Sequence, residues 1–471
     1  MLQELTTPPA TGGPVSPKLL GRFDVPGPRY TSYPTADRFV EAFQAQDYER
    51  ALLQRKSGPA AMVSPLSLYV HIPFCESLCY YCACNKIVTR QHDRATGYLR
   101  YLAREVDLHI ALLGTGRTVT QLHLGGGSPT FLRDGELRAL MDMLKRNFHF
   151  APRGEYSIEV DPRTVDEERL DTLLELGFRR LSFGVQDFDP EVQQAVHRIQ
   201  PTGQVFRLVK AARERGFDSI NVDLIYGLPR QTPGSFDRTL RTLAELRPDR
   251  VALYAYAHLP ERFKSQRRIA VSELPVAAHK VAMLSRSLAA MQAAGYVYVG
   301  MDHFALPGDA LAVAKRQGRM HRNFQGYSTQ PDHDLIALGV SAIGRVDATY
   351  SQNAKTLEEY YDALERGQFP VVRGLALSRD DLIRRAAIMA LMCNGQLLFE
   401  AINLAFLVDA QEYFAPELKA LLELRELGLV TLDDSGVQVT ATGWFFVRAV
   451  AMVFDRYLQS DRTRARFSRI L

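Results

Sequence analysis

Six short β-rich runs alternate with amphipathic helical patterns between residues 67 and 256 of the chain. The runs are Ser67–Ile72, Val119–Leu124, Tyr156–Val160, Arg180–Val185, Ser219–Ile225 and Arg250–Tyr256. The helical patterns between them are Tyr98–Leu113, Glu136–Asn147, Glu167–Leu176, Thr202–Arg215 and Gly234–Leu246. Such alternation is typical of a parallel sheet covered by helices. Six units suit an open or partial barrel better than a closed eight-stranded one, so the pattern predicts an α/β fold of that kind.

The segments before and after this region differ in character. Residues 1–20 are rich in proline and glycine and lack periodicity, which predicts a disordered N-terminus. Residues 21–65 are predicted to form a mixed segment with a helix near 38–56. Residues 66–370 are predicted to form the barrel and its extension, and the extension includes a helix at Pro275–Gly295 and a strand at Tyr296–Met301. Residues 371–471 are expected to form a mainly helical, winged-helix-like domain, with the elements Asp380–Cys393, Glu417–Leu427, a hairpin at Leu429–Leu432 and Val437–Val439, and Trp444–Tyr457.

Composition and charge exclude some classes of protein. The net charge of +4 over 471 residues is too small for a protein held mainly by nucleic-acid phosphates. One alternative stays open, because Arg462, Arg464, Arg466 and Arg469 form a basic tail behind the winged-helix-like region; we interpret it as a solvated helix end and expect no nucleic-acid partner. The N-terminus lacks the apolar stretch of a signal peptide, and no run of about 18 apolar residues occurs, so we expect a cytoplasmic protein without a membrane span.

Four of the five cysteines lie within ten residues, and Cys75, Cys79 and Cys82 have the spacing C-x3-C-x2-C. They follow Pro73, which ends the first strand, and barrels of parallel strands place their active sites at that end. Zinc sites favour paired C-x2-C ligands, and ferredoxin clusters use four thiolates. Three thiolates would leave one iron of a [4Fe–4S] cluster open to a small chelating molecule. A structural zinc site is the alternative. The fifth cysteine, Cys393, lies in an apolar helix and is expected to be a buried core thiol.

Further strand ends carry glycines or polar side chains. The run Gly125–Thr130 follows the second strand, and its glycines would let the backbone approach a ligand and leave N–H groups free. Glu159, Gln186 and Asp223 end the next three strands. Carboxylates suit ribose hydroxyls and Arg198 suits a carboxylate, so the repetition of such residues predicts a binding site at this end of the sheet.

Several motifs together resemble one family of radical S-adenosylmethionine (SAM) enzymes, the oxygen-independent coproporphyrinogen III oxidases. The motifs are Pro28-Arg-Tyr-Thr-Ser-Tyr-Pro34, Tyr69-Val-His-Ile-Pro-Phe-Cys75, Cys82-Ala-Cys84-Asn-Lys, Gly300-Met-Asp-His-Phe304 and His321-Arg-Asn-Phe-Gln-Gly-Tyr327. The resemblance runs from about residue 20 to the C-terminus. It implies a partial (β/α)6 TIM-like radical SAM barrel, an N-terminal segment over the barrel mouth and a C-terminal helical domain.

The resemblance also implies a reaction. Two propionate side chains of coproporphyrinogen III are oxidatively decarboxylated to vinyl groups, giving protoporphyrinogen IX in haem biosynthesis. A [4Fe–4S] cluster and two SAM molecules in one site serve this oxidoreductase reaction, which generates a 5′-deoxyadenosyl radical. An unidentified one-electron donor and acceptor complete it, and we expect a monomer.

The family's site residues transfer to matching positions of this sequence. Cys75, Cys79 and Cys82 would bind the cluster, whereas Cys84 is implied to be important for activity without binding iron. The positions that would contact SAM are Tyr69, Tyr81, Gly126, Gly127, Ser128, Glu159, Gln186, Arg198, Asp223, Ala257 and Ile343. Phe324 and Gln325 match positions linked to the second SAM. Arg22, Arg29 and Lys86 are candidates, by type and position, for binding the substrate carboxylates.

A related radical SAM haem chaperone is the main alternative. In that protein an aromatic residue stands where this chain has Cys84, and a His-Asn…Tyr-Trp motif replaces the segment that begins at His321. The only tryptophan here is Trp444. These differences favour the oxidase.

Overall fold

The computed structural model describes residues 17–23, 25–57 and 64–460. Residues 1–16 of the segment predicted to be disordered, and the basic tail at 462–469, lie outside this part of the chain. Residues 17–20 belong to a helix, α1 Pro17–Arg22, which is followed by a short 3-10 helix (Ala36–Arg38) and by α2 Ala45–Ser57. Helix α2 therefore begins later than the predicted helix near 38–56.

The barrel region consists of alternating strands and helices, as predicted. Its strands are β1 Leu66–Ile72, β2 Phe74–Cys75, β3 Ile87–Val88, β4 Arg117–Gly126, β5 Phe148–Val160, β6 Arg180–Gln186, β7 Ser219–Tyr226 and β8 Arg250–Ala255. Its helices are α3 Asp93–Leu113, α4 Asp134–Asn147, α5 Glu167–Leu176, α6 Pro190–Ala195, α7 Thr202–Glu214 and α8 Pro233–Leu246, with a 3-10 helix at Pro129–Phe131. The six predicted strands pair in parallel and in chain order, β1–β4–β5–β6–β7–β8, which confirms the partial barrel.

The extension widens this sheet at both edges. It contains β9 Val297–Gly300, β10 His303–Ala305, β11 His321–Asn323, β12 Gly326–Ser328, β13 Asp334–Leu338, β14 Ile343–Val346, β15 Thr349–Asn353 and β16 Val371–Ala376. Its helices are α9 Ala277–Ala293, α10 Ala310–Arg316 and α11 Leu357–Glu365, with 3-10 helices at Lys264–Arg268 and Val271–Glu273. Strand β13 pairs in parallel with β1, and β14, β15 and β16 continue from it antiparallel. At the other edge, β10 lies between β8 and the predicted strand β9.

The C-terminal region has the predicted helices and hairpin. It contains α12 Arg379–Asn394, β17 Gln396–Leu398, α13 Phe399–Phe406, α14 Ala410–Tyr413, α15 Ala415–Glu426, β18 Val430–Asp433, β19 Gly436–Val439, a 3-10 helix Gly443–Phe446, α16 Val447–Met452 and α17 Arg456–Ser460. The single helix predicted over Trp444–Tyr457 is wrong. The chain breaks at Asp455, whose carboxylate accepts hydrogen bonds from the backbone N–H groups of Tyr457 and Leu458 and so caps a new helix.

Burial explains why the barrel strands form where they do. The seven residues of β1 are buried except for Tyr69, as expected for a strand covered on both faces. Helix α8 begins with a capping box in which Thr232 and Ser235 bond each other's backbone N–H groups. Cys393 is buried in α12, as predicted. Among the described residues no helix has the length and apolar character needed to cross a bilayer.

Candidate active site

The loop after β1 carries the three predicted cluster ligands. Cys75 ends the short strand β2, and Cys79 and Cys82 follow on the loop toward β3. The 3-10 helix Lys264–Arg268 supports this loop. The Ser265 hydroxyl donates to the carbonyl of Cys82 over 2.7 Å, and the Gln266 amide donates to the carbonyl of Tyr81 over 2.9 Å. The thiols of all three cysteines therefore face one cavity of about 270 Å³.

Basic side chains surround these thiols. The guanidinium groups of Arg198 and Arg163 lie 3.4 and 3.6 Å from the Cys79 sulfur. Both also pair with Asp161, at 3.3 and 2.7 Å. Two cations against one carboxylate leave an excess of positive charge beside the Cys79 sulfur, whereas burial and the neighbouring thiols raise the pKa of Cys75 to about 12. The Cys84 thiol donates a hydrogen bond to Cys82 and thereby lowers the pKa of the Cys82 thiol to about 6.

This donor set fits a cluster better than a single ion. No group of three or more histidine, cysteine, aspartate or glutamate side chains in the described part of the chain is arranged to hold one metal ion. In a [4Fe–4S] cube each thiolate binds a different iron, so the sulfur atoms need a cavity between them rather than a common contact. Cys75, Cys79 and Cys82 all line the 270 Å³ cavity, which provides such a space.

The glycine run at the end of β4 packs against the cysteine loop. A Cβ atom on Gly127 would come within 2.6 Å of the Pro73 carbonyl oxygen, so the close approach requires glycine. Gly127 and Ser128 donate their N–H groups to the carbonyls of Ile72 and Phe74, over 2.8 and 2.9 Å. The expectation that this run leaves its N–H groups free is therefore wrong for these two residues, because they anchor the cysteine loop.

Polar residues at the ends of β5, β6 and β7 line the same cavity. Glu159, Gln186 and Asp223 all face it, as does Arg198. Burial, together with the charge of Glu159, raises the pKa of Asp223 to about 7. Gln186 has a left-handed backbone with φ of 70°. The sequence prediction that these strand ends converge is confirmed.

A second cavity, of about 310 Å³, adjoins the first. Glu159, Gly126 and Cys84 line both. Tyr69, Phe324, Gln325 and Ile343 line the second cavity but not the first. The Gln325 amide donates to the carbonyl of Leu68 over 3.2 Å, whereas its buried Oε1 atom has no hydrogen-bond partner among the described residues.

Two of the predicted residues, Ala257 and Arg22, do not line these cavities, whereas Lys86 does. Ala257 follows β8 but is not among the residues that line these two cavities. Arg22 lies on the surface and pairs with Glu423, so the structure does not bring it to the site. Lys86 lines the first cavity and donates to the carbonyl of Cys82 over 3.2 Å.

Some residues of the site were not predicted. Asp161 and Arg163 follow Glu159 by two and four positions, so the strand-end pattern already contained the signal for them. Tyr254 lines the first cavity and a third one of about 140 Å³. The guanidinium of Arg29, a predicted candidate, lies 5.1 Å from the centroid of the Tyr254 ring and 2.9 Å from Asp302.

Comparisons with known proteins agree with this geometry. Residues 69–243 match the model of the Radical SAM superfamily, and residues 377–446 match the HemN C-terminal domain. The chain is 48% identical to the oxygen-independent coproporphyrinogen III oxidases of Pseudomonas aeruginosa and Escherichia coli, over 96% of this chain and 98% of each relative. Among solved structures, coproporphyrinogen III oxidase (HemN) from Escherichia coli, described as a radical SAM enzyme, aligns with a TM-score of 0.88 and 47% identity, covering 95% of this chain and all of that one.

Proposed function

The chain belongs to the oxygen-independent coproporphyrinogen III oxidase family, and from this premise we propose how its own residues carry out the reaction. The protein is an oxidoreductase that oxidatively decarboxylates two propionate side chains of coproporphyrinogen III to vinyl groups, giving protoporphyrinogen IX. The observation that supports this most directly is the set of three thiols that share a cavity with the polar ends of β5, β6 and β7.

Cys75, Cys79 and Cys82 would hold the [4Fe–4S] cluster. When bound, the reduced cluster and SAM supply the radical chemistry that removes a hydrogen atom from the propionate side chain. The guanidinium groups near Cys79 would offset the negative charge of the cluster and its thiolates. Cys84 donates a hydrogen bond to Cys82 and lines both cavities, so it can act at their junction without binding iron.

The two cavities support a site for two SAM molecules. Glu159 and Asp223 would accept hydrogen bonds from ribose hydroxyls, and Arg198 would bind a carboxylate. The remaining residues proposed to contact SAM are Tyr69, Tyr81, Gly126, Gly127, Ser128, Gln186, Ala257 and Ile343. In the second cavity Phe324 and Gln325 would contact the second SAM, and the unpartnered Gln325 Oε1 is an acceptor available to it.

The reaction requires an electron donor and an electron acceptor. Each propionate loses a hydrogen atom, CO2 and one further electron, so a one-electron donor must reduce the cluster and an acceptor must take the last electron. We propose that the protein works as a monomer in the cytoplasm, since free cysteine thiols persist in a reducing compartment. We also propose that residues 21–65 cover the barrel mouth.

Anaerobic reconstitution with iron and sulfide tests the function. We expect 5′-deoxyadenosine and a vinyl-bearing porphyrinogen when SAM, reductant and coproporphyrinogen III are all present, and neither when coproporphyrinogen III is omitted. Stoichiometric retention of haem without vinyl product would instead favour the chaperone.

A Cys84→Ser variant tests the role of the fourth cysteine. We expect it to keep the iron content of the wild type and to lose turnover. Loss of the cluster in this variant would contradict a role without iron ligation, and Cys82→Ser, which removes a proposed ligand, is the matched comparison.

A further inference from the structure

Arg322 is a buried cation, and two of its guanidinium nitrogens lack a hydrogen-bond partner in the described part of the chain. Only 4% of it is exposed, and its Nε and Nη1 atoms have no hydrogen-bond partner among the described residues. Its guanidinium lies 4.5 Å from the centroid of the Tyr327 ring, which offers a weak cation–π contact. Buried charges in proteins are normally paired, because removal from water is costly. An anion would supply the hydrogen-bond acceptors that these two buried nitrogens lack.

The nearby charges make the region more positive. Arg29 is paired with Asp302 at 2.9 Å. Arg448 donates to the backbone carbonyls of Gly27 and Pro28. Burial, together with the charge of Arg29, lowers the pKa of Arg448 to about 10, as expected where cations crowd each other. Of these guanidinium groups, Arg29 is the one that pairs with Asp302, and the charges of Arg29 and Arg322 both act on Arg448.

A chain of aromatic contacts connects Arg322 to the active site. The Tyr327 ring packs edge-on against His303 at 5.7 Å, and His303 packs edge-on against Tyr254 at 5.9 Å. All three rings line the third cavity, of about 140 Å³. Tyr254 and Asp223 also line the cavity of the cysteines, so the two spaces adjoin.

We propose that Arg322 binds a propionate carboxylate of the macrocyclic substrate. Arg322 is not among the residues that line the third cavity, so the carboxylate would reach it past the Tyr327 ring, which lines that cavity and contacts Arg322. The proposal rests on the function proposed above. A guanidinium can donate two parallel hydrogen bonds to one carboxylate, and such charge-assisted bonds are stronger than neutral ones. The macrocyclic substrate has an apolar ring surface and carboxylate side chains. The aromatic rings of this region can pack against the apolar surface, and the Arg322 guanidinium can bind a carboxylate. Arg322 is thus a binding residue that holds the substrate by one carboxylate.

Equilibrium binding of coproporphyrin III, the oxidised form of the substrate, tests the proposal with the reconstituted holoprotein. In Arg322→Gln we expect the Kd for this tetracarboxylate to rise about tenfold or more, since a charge-assisted bond is lost. Arg322→Lys should restore part of the affinity. The porphyrin tetramethyl ester, which has no carboxylates, should bind wild type and variants alike. Arg319→Gln is the matched control, because Arg319 is exposed and three residues away.

Thermal unfolding separates a binding role from a structural one. Because two nitrogens of the buried Arg322 guanidinium have no hydrogen-bond partner among the described residues, Arg322→Gln should unfold at the same temperature as the wild type or higher. A lower unfolding temperature together with equal loss of affinity for the acid and the ester would show a structural arginine and overturn the proposal. An unchanged Kd for the acid would overturn it as well.

The outcome is distinguishable from a failure of the proposed function. If the wild type produces 5′-deoxyadenosine and vinyl product while Arg322→Gln keeps the wild-type Kd and KM, only the role of Arg322 is wrong. If the wild type itself neither binds the tetracarboxylate nor turns it over, both proposals are overturned. Iron content and SAM binding should be the same in wild type and Arg322→Gln.

Discussion

Gly127 stands where the end of β4 meets the cysteine loop. The ideal Cβ position at this residue lies 2.6 Å from the Pro73 carbonyl oxygen and 2.9 Å from that of Phe74. Both obstacles are backbone atoms, so they cannot move aside as a flexible side chain can. Substitution must displace the loop that carries Cys75.

Gly127→Ala should therefore reduce cluster incorporation while the barrel remains folded. The overlap is expected to cost about 1–3 kcal/mol locally, which is enough to shift a surface loop. Iron content after anaerobic reconstitution, with circular dichroism to follow folding, measures the effect. Gly135→Ala is the matched control, because no atom lies within 4 Å of the Cβ position there. Equal iron content in both variants would contradict this role of Gly127.

At the scale of single residues, site residues that follow from spacing along the chain can be predicted from the sequence. Residues whose role depends on tertiary contacts cannot. The cysteine spacing and the polar strand ends indicated Cys75, Glu159 and Asp223, since periodicity alone places them at one end of a sheet. Arg322 could not be found in this way, because its importance lies in the absence, among the described residues, of a hydrogen-bond partner for two of its guanidinium nitrogens. That absence depends on how β11 packs against α12 and the barrel.

Helices α2 and α3 are joined by a buried histidine. His109 on α3 donates from Nδ1 to the carbonyl of Glu105 over 2.8 Å, and its Nε2 lies 2.9 Å from the hydroxyl of Tyr48 on α2. Burial lowers the pKa of His109 to about 4. The ring is therefore neutral in the folded protein at pH values where the unfolded chain would protonate it.

Stability should fall as the pH drops from about 6.5 to about 4, because only the unfolded state takes up a proton at His109 in that window. The folded pKa is depressed, so the contribution is complete above the unfolded pKa and amounts to ~3 kcal/mol at 1.36 kcal/mol per pKa unit. Denaturant unfolding at a series of pH values measures it. In His109→Gln the free energy of unfolding should fall less steeply with decreasing pH than in the wild type. In His149→Gln, where the histidine is exposed, it should fall as steeply as in the wild type. Parallel curves for wild type and His109→Gln would contradict the prediction.

Long periodic elements were predicted well, and short paired strands were not. Helix α5 has the predicted bounds, and α8 differs by one residue, since a full amphipathic face and clear caps mark both. Strand β13, by contrast, is identified only by its parallel pairing with β1, which is more than 250 positions away in the sequence. Strand β10 is likewise identified only by its pairing with β8 and β9, so the sequence did not predict that it lies between them.

The two ends of the described chain meet on the barrel. The Tyr30 hydroxyl donates to the carboxylate of Asp455 over 2.9 Å, and both residues are buried. Arg448 of α16 bonds the carbonyls of Gly27 and Pro28. The N-terminal segment is thus held by the C-terminal helices, and Arg29 on the same segment reaches Tyr254 at the site.

Tyr30→Phe should destabilise the whole molecule by about 1–3 kcal/mol, because it leaves a buried carboxylate without one of its donors. Limited proteolysis should then cut the segment around Tyr30 faster than in the wild type. Tyr101→Phe is the matched control, since its hydroxyl bonds Glu365 at the surface. The same loss of stability in both variants would contradict the prediction that the buried Tyr30–Asp455 hydrogen bond contributes more than a surface one.

The account's central claim is that this barrel directs hydrogen removal from the propionate side chain of coproporphyrinogen III. Substrate deuterated at the propionate β-carbon tests it most directly, by mass spectrometry of the 5′-deoxyadenosine released under anaerobic turnover. We predict that deuterium appears in the deoxyadenosine and that vinyl product forms with it. Vinyl product with unlabelled deoxyadenosine, or label lost only to water, would contradict the account.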